Sequence, residues 1–347
     1  MSSEQTTHKM KNYITSSKEK KIFSYENLPT ADYVCRWGNS ASIALLDPSC
    51  KFFSVLSVKG VIGYRMATKY AVVLGDPVCP GENLEILMQK FHAFCTQQDK
   101  KILYLAVSEQ FMKWSLNRYC NSAIECGVEI ILNPQIDATN KKGKKASLLR
   151  NKYNQSIRDG INVKEYCGYD EQMEASLQNI REVWLKNRKG PQIYLLSVNM
   201  FEDRIHKRWF YAEHNGELIA VLMLNRIDAF HGWVLNILMV IPNAPTVTSE
   251  FIMLSTLSIL RNECCSFFSI GTVPASQLGA IEGLGCFSQW LARTLFKIAK
   301  KIFRLEDRQR YWKKFYPQTK STFVLFNTSS IRFSELLDIV RALSGKI

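Results

Sequence analysis

Three stretches of this chain combine residue types that could do chemistry. Lys141-Lys142-Gly143-Lys144-Lys145 packs four ammonium groups into five residues. It runs into a helical stretch, 146–159, that carries Arg150, Lys152 and Arg158. That density suits phosphate contact, although a solvated loop and helix face has the same composition. Arg308-Gln309-Arg310-Tyr311-Trp312-Lys313-Lys314-Phe315-Tyr316-Pro317 interleaves cations with aromatic rings. Cations there can meet phosphates while rings stack bases, as a single-stranded RNA end requires; core aromatics beside surface lysines read identically. The third stretch, 232–285, opens with the apolar run Gly232-Trp233-Val234-Leu235-Asn236-Ile237-Leu238-Met239-Val240-Ile241, of strand length. Pro242-Asn243-Ala244-Pro245 breaks it, and Thr246 is the expected N-cap of a helix carrying apolar residues 251–260. A second strand, 266–270, ends in Gly271-Thr272-Val273-Pro274-Ala275-Ser276. Strand, loop, helix, strand and turn make a compact α/β unit whose strand-end loops offer backbone donors and short polar side chains to a ligand. The active site is expected here.

No familiar catalytic signature accompanies these stretches. The chain has no G-x-S-x-G elbow, P-loop, H-E-x-x-H or strand-linked G-x-G-x-x-G; the glycines of 279–285 follow a turn. Its ten cysteines (35, 50, 79, 95, 120, 126, 167, 264, 265, 286) include no C-x-x-C and sit mostly in apolar runs. They read as reduced thiols. The five histidines (8, 92, 206, 214, 231) do not cluster with them, so neither a metal nor a cofactor is expected. Transfer from an activated ester needs no nucleophile motif: positioning, oxyanion donors and one base suffice.

A net charge of +14 on 347 residues favours an anionic partner, nucleic acid or an anionic membrane surface. With 46% hydrophobic and 22% charged residues, most of the chain should be folded. No signal peptide is visible, and no apolar run reaches the roughly 18–20 residues of a spanning helix. The expectation is a cytoplasmic protein, peripheral on the inner face of the membrane. The helix expected over 289–304 supports that. Leu291, Leu295, Ile298 and Ile302 form one face, and Arg293, Lys297, Lys300, Lys301 and Arg304 follow another, a pattern suited to an anionic membrane surface and equally to a helix docked on the core.

The remaining elements must position these groups. Residues 1–30 read as a tail with Lys18, Lys20 and Lys21. Segments 42–46, 52–58, 60–66 and 70–74 predict an antiparallel meander ending at Gly75-Asp76-Pro77-Val78. A helix over 84–97 follows from Leu84, Leu87, Met88, Phe91 and Cys95, then a strand over 101–107, a helix over 109–119 and a strand over 129–133. Strand 163–166 and helix 169–188 lead to a hairpin, 208–213 and 218–225, turning at Asn215-Gly216. A strand over 321–326 and a helix over 334–342 complete the chain. Each half reads as antiparallel strands, a helix and further strands. The expected division is 31–165 and 166–347, the second half holding the site.

Several of these segments together resemble the C-terminal catalytic domain of bacterial phosphatidylglycerol lysyltransferase, the multiple peptide resistance factor, in a free-standing form. They are Gly-Asp-Pro-Val closing strand 70–74, Cys126-Gly127-Val128-Glu129-Ile130, the Lys-rich helix 144–160, Val183-Trp184-Leu185, residues 236–245, Ser269 to Ser276, and Lys314-Phe315-Tyr316-Pro317. The resemblance spans about residues 37–326. It implies an α/β (α+β) fold of two tandem acetyltransferase-like (GNAT) domains with mixed, mainly antiparallel sheets. It also implies transfer of an aminoacyl group from aminoacyl-tRNA to a membrane lipid hydroxyl, with Asn236, Lys314 and Ser276 at the catalytic site. Glu129, Arg150, Lys144, Lys145 and Arg310 would bind substrate. One departure is chemical: many members carry Asp-Leu-Met-Arg where this chain has Asn236-Ile237-Leu238-Met239. An amide can hydrogen-bond an ammonium or ester but cannot be a general base. Two alternatives stay open: a GNAT-type transferase with another acyl donor or acceptor, such as a peptidoglycan precursor or protein, and a non-catalytic binding module.

Overall fold

The computed structural model describes residues 30–187, 200–303 and 310–330, without the side chains of 299–303. The expected tail up to residue 29, the helix over 334–342 and Arg304 lie outside the described residues. In chain order come α1 (Thr30–Trp37), a 3₁₀ helix (Ser40–Leu46), β1 (Lys51–Val55), β2 (Val58–Met66), β3 (Tyr70–Leu74), α2 (Leu84–Gln97), β4 (Lys101–Ser108), α3 (Glu109–Ser115) and β5 (Ser122–Leu132). Then follow α4 (Lys144–Arg158), β6 (Asn162–Tyr166), α5 (Glu171–Asn187), β7 (Lys207–His214), β8 (Glu217–Ile227), β9 (Gly232–Val240) and α6 (Thr248–Asn262). Last are β10 (Phe268–Pro274), β11 (Ile281–Glu282), α7 (Cys286–Phe303) and β12 (Gln318–Phe326).

All the strands join one mixed sheet, in the order β1-β2-β3-β4-β12-β5-β10-β9-β8-β7-β6, with β11 on β5. Among the described strands only β3/β4 and β9/β10 pair in parallel, and helices α2 and α6 make their crossovers. The expected doubling is therefore real: β1-β2-β3-α2-β4 and β7-β8-β9-α6-β10 repeat one order. The two units share a sheet because β5 pairs with β10 and β12 lies between β4 and β5. Residue 165, the expected division, falls near the end of β6, which pairs with β7.

Apolar periodicity decides which helix covers which face. α2 buries Leu87, Met88, Phe91 and Cys95 against Ile62, Tyr64, Ile102 and Tyr104, as the spacing of three and four predicts. α1 and the 3₁₀ helix bury Val34, Ile43 and Leu45 on the other side of that half. In the second half α6 packs Phe251, Leu254 and Leu257 against Phe210, Leu222 and Leu224, while α5 packs Leu177 and Ile180 against Val221 and Met223.

Local polar chemistry overrides the expected pattern in several places. Residues 42–46 are not a strand. Asn39 caps them as a 3₁₀ helix, its Oδ1 accepting from the backbone N–H of Ala41 (3.0 Å) and Ser42 (3.2 Å), and Ser42 Oγ accepts from the Asn39 N–H in return. Thr30, read as the end of the tail, instead opens α1, which runs to Trp37. Thr246 does not cap α6, which begins at Thr248. The helix from Glu109 stops at Ser115 rather than 119, with Asn117 in the left-handed region at φ 64°. β5 begins at Ser122 rather than at Glu129, where the apolar run suggested, because Ser122 to Val128 pair with β12.

Candidate active site

The parallel pair β9/β10 is short. Trp233 and Val234 lie opposite Phe268 and Ser269, and there the pairing ends. β9 continues to Val240 against β8, whereas β10 turns away along β5. The two strands diverge from there, and among the described residues the β10-facing backbone edge of β9 beyond Val234 has no strand partner. Gly232 sets the close start: a Cβ there would sit 2.2 Å from the Phe267 carbonyl oxygen. Gly271, at φ +89°, lets β10 bulge away just past the fork.

Asn236 occupies the second bulge of this fork. In the β8/β9 ladder Met223 faces Ile237 and Leu224 faces Leu235, so Asn236 is the extra residue. Bulges re-aim side chains, and this one turns an amide into a cavity of about 400 Å³. The cavity is also lined by Thr30 and Ala31 of α1, by Leu45, Asp47 and Cys50, and by Glu202, Asp203 and Lys207. Asn236 Nδ2 donates to Oδ1 of the buried Asn225 (2.6 Å). Among the described residues, its own buried Oδ1 accepts from none, and Asp203 Oδ2 is in the same condition. Two unfilled acceptors around one cavity can receive a donor, and the Asp203 carboxylate meets His206 Nδ1 only through its other oxygen (2.8 Å). Three carboxylates line this space against one lysine; Asp47 is neutralised by Arg65 at 3.2 Å. Burial holds the Lys207 ammonium below its usual range, with Asp203 and Glu202 opposing. The chamber suits a cationic hydrogen-bond donor.

Glu129 comes to the base of the same fork. It accepts from Ser269 Oγ (2.8 Å), and that hydroxyl accepts from the Gly271 N–H (3.1 Å). Behind it, Asp76 of the Gly-Asp-Pro-Val turn accepts from the Ser108 N–H (2.9 Å) and from Asn39 Nδ2 (3.0 Å). Burial pushes the Asp76 carboxyl up to about 6; the bonds from Ser108 and Asn39 oppose that, and the Glu129 charge adds to it. Since the folded value lies above that of the unfolded chain, the associated stability is complete at low pH and is lost as pH rises through about 6. Urea unfolding should give wild type a loss on the order of 1 kcal/mol between pH 5 and pH 7 that Asp76→Asn lacks. Parallel pH profiles for the two proteins would refute this.

Lys314 lies elsewhere. Its ammonium pairs with Glu250 Oε1, which Lys152 Nζ also meets at 2.5 Å, and it stands 3.6 Å from the Tyr311 ring centroid. Glu250 is 3% exposed. Burial raises its carboxyl, but the bonds from Lys152 and Lys314 outweigh burial and hold it below the carboxylate range. Burial lowers Lys314 more than Glu250 raises it. This trio ties residues 313–315 to α4 and α6. Ser276 sits exposed in the turn after β10, and no hydrogen bond or ion pair joins Asn236, Lys314 and Ser276 to one another.

The two basic segments do meet. Tyr316 Oη donates to the Lys142 carbonyl (3.4 Å), and Arg150 donates to the carbonyls of Thr139 and Lys141. Lys141, Lys142, Lys144, Lys145, Arg150, Arg310 and Lys313 are all exposed. Arg293 and Lys297 are exposed on α7; the side chains of Lys300 and Lys301 lie outside the described set. Sequence reasoning missed Asn225, Asp203 and Glu250. A lone amide ending the apolar run 218–225, and a lone acid opening an apolar helix, were the available signals.

A doubled order of antiparallel strands, helix and parallel return defines a tandem GNAT-like fold. The chain belongs to the family "Phosphatidylglycerol lysyltransferase, C-terminal", which matches residues 36–326. It is 21% identical over 294 residues to a phosphatidylglycerol lysyltransferase of Staphylococcus epidermidis, covering 82% of this chain and 34% of that protein. It thus spans about a third of the length of that relative. The fold is shared with L-PGS from Bacillus licheniformis, at a TM-score of 0.75 and 15% identity, covering 91% of this chain and 95% of that one. It is shared too with the C-terminal domain of an Agrobacterium fabrum protein assigned as a lysylphosphatidylglycerol synthetase, at 0.74 and 16%, covering 92% and 96%. Among the described residues no helix is long and apolar enough to cross a membrane.

Proposed function

We propose that this protein moves an aminoacyl group from aminoacyl-tRNA to the hydroxyl of an anionic lipid of the phosphatidylglycerol type. The observation that carries this reading is the chamber lined by Asn236 of β9 and by Asp203, where Asn236 Oδ1 and Asp203 Oδ2 lack donors among the described residues. An aminoacyl ammonium supplies N–H donors of the right charge. With that group held, the open edge of β9 offers backbone N–H groups to polarise the ester carbonyl. The lipid hydroxyl oxygen then bonds to the acyl carbon, the bond from that carbon to the tRNA ribose oxygen breaks, and the hydroxyl proton ends on the ribose oxygen. Asn236 binds and orients; as an amide it does not take the proton.

The joined basic surface of 141–150 and 310–316 supports tRNA as the donor, its lysines and arginines meeting phosphates beside Tyr316. Lys314 contributes by fixing that segment on α6. Ser276, exposed in the turn after β10, would serve as a hydroxyl contact to substrate. The test is direct. Purified protein is given tRNA charged with radiolabelled lysine, or with a neutral amino acid, and phosphatidylglycerol vesicles, and label is counted in the lipid extract. Labelled lipid is expected with at least one donor. Failure with every aminoacyl-tRNA, together with turnover of an acyl-CoA, would replace this reading by that of another GNAT-type transferase.

A further inference from the structure

α7 is built with more apolar faces than the core can use. The expected inward face is only half satisfied: Leu291 and Leu295 are half-buried, and Ile298 is 49% exposed. Ser288 is the buried anchor, and Ala292 packs on the apolar cluster that includes Leu45 and Cys50. Those two residues also wall the Asn236 chamber, so α7 and the chamber share one apolar layer. A second edge points outward. Phe287 is 71% exposed and Trp290 61%, with ring centroids 6.0 Å apart, and positions 287, 290, 294 and 298 align at helical spacings of three and four. Exposed Arg293 and Lys297 flank this edge, and the helix sequence CFSQWLARTLFKIAKKIF contains no acid.

We infer that this edge docks on an anionic bilayer, with Phe287 and Trp290 inserted at the headgroup level and Arg293 and Lys297 against lipid phosphates. Charge complementarity selects that occupant. A cation-flanked aromatic edge on an acid-free helix, in a chain of net charge +14, matches an anionic lipid surface and repels a second copy of itself. The basic face expected from sequence explains attraction; the aromatic pair explains retention after contact. Docking stands on α7 alone and survives if the proposed transfer chemistry is wrong.

The full chain is sedimented with phosphatidylcholine vesicles, with and without phosphatidylglycerol. Wild type should bind only the anionic vesicles. The double variant Phe287→Ser with Trp290→Ser should lower partitioning about tenfold or more. The pair Arg293→Gln with Lys297→Gln should lower it about tenfold and erase the preference for anionic lipid. Both pairs are on the surface, and unchanged circular dichroism checks their folding. Brominated lipid should quench more fluorescence in wild type than in Trp290→Phe. Wild-type-like vesicle binding by the Phe287/Trp290 variant overturns the proposal. So does sedimentation velocity showing a dimer, without vesicle binding, that this variant dissolves, or tRNA binding lost in place of vesicle binding.

Discussion

Replacing Glu250 with alanine is expected to cost about 3–5 kcal/mol of stability, the range for removing one partner of a buried ion pair. Among the described residues Glu250 is the only anion paired with both Lys152 and Lys314, whose side chains are 25% and 13% exposed. Without it, two partly buried ammonium groups face each other with no counter-charge. Urea unfolding of the variant should show a lower midpoint at unchanged slope. The pH dependence follows from the same pairing. Because the Glu250 carboxyl is held below its ordinary range, its contribution is present at neutral pH and lost as pH falls through the folded value. Combining Glu250→Leu with Lys152→Met and Lys314→Met should recover most of the loss, since an apolar trio carries no desolvation cost. If Glu250→Ala unfolds like wild type, the trio is not what holds residues 313–315 on α6.

Asn236→Ala should lower the kcat/KM of aminoacyl transfer about 10- to 100-fold. A hydrogen bond to a charged group contributes about 1.5–3 kcal/mol, and each 1.4 kcal/mol is a factor of ten. The bulge aims this one amide at the chamber, and neighbouring Leu235 and Ile237 cannot substitute for it. Stability should fall by only about 1–3 kcal/mol, from the Asn225 amide left without its donor. Asn236→Asp retains an acceptor and adds charge, so it should transfer better than the alanine variant when the donor carries a basic amino acid. Equal rates for the aspartate and alanine variants would remove Asn236 from any role in holding a cation.

Much of this architecture was legible because apolar period and turn residues agree with the final packing. Helix α2 follows from its spacing of three and four, and the β7/β8 hairpin from Asn215-Gly216. What failed to show in sequence depends on partners far along the chain. The first half of β5 mixes Glu125, Cys126 and Gly127, and becomes a strand only because β12 and β10 flank it. The 3₁₀ helix at Ser40–Leu46 looks like a strand until the Asn39 cap is counted. At the site, the polar interruption at Asn236 was visible within an apolar run. Its bulge, its bond to Asn225 and the presence of Asp203 in the same cavity wall were not, since none is local. Lys314 was visible as a cation among aromatics, yet its fate is set by an acid 64 residues away.

β12 has a consequence for the order in which the molecule can be made. The strand fills the gap between β4 and β5, and Asn327 just beyond it accepts from the Ile102 N–H across a separation of 225 residues. During synthesis, β1 to β5 therefore emerge with the middle of their sheet missing. Two exposed strand edges, on β4 and β5, wait for residues 318–326. Such long-range closure is slow and leaves unpaired edges open to wrong pairing. The first unit of this double fold lacks its central strand until residues 318–326 have been made.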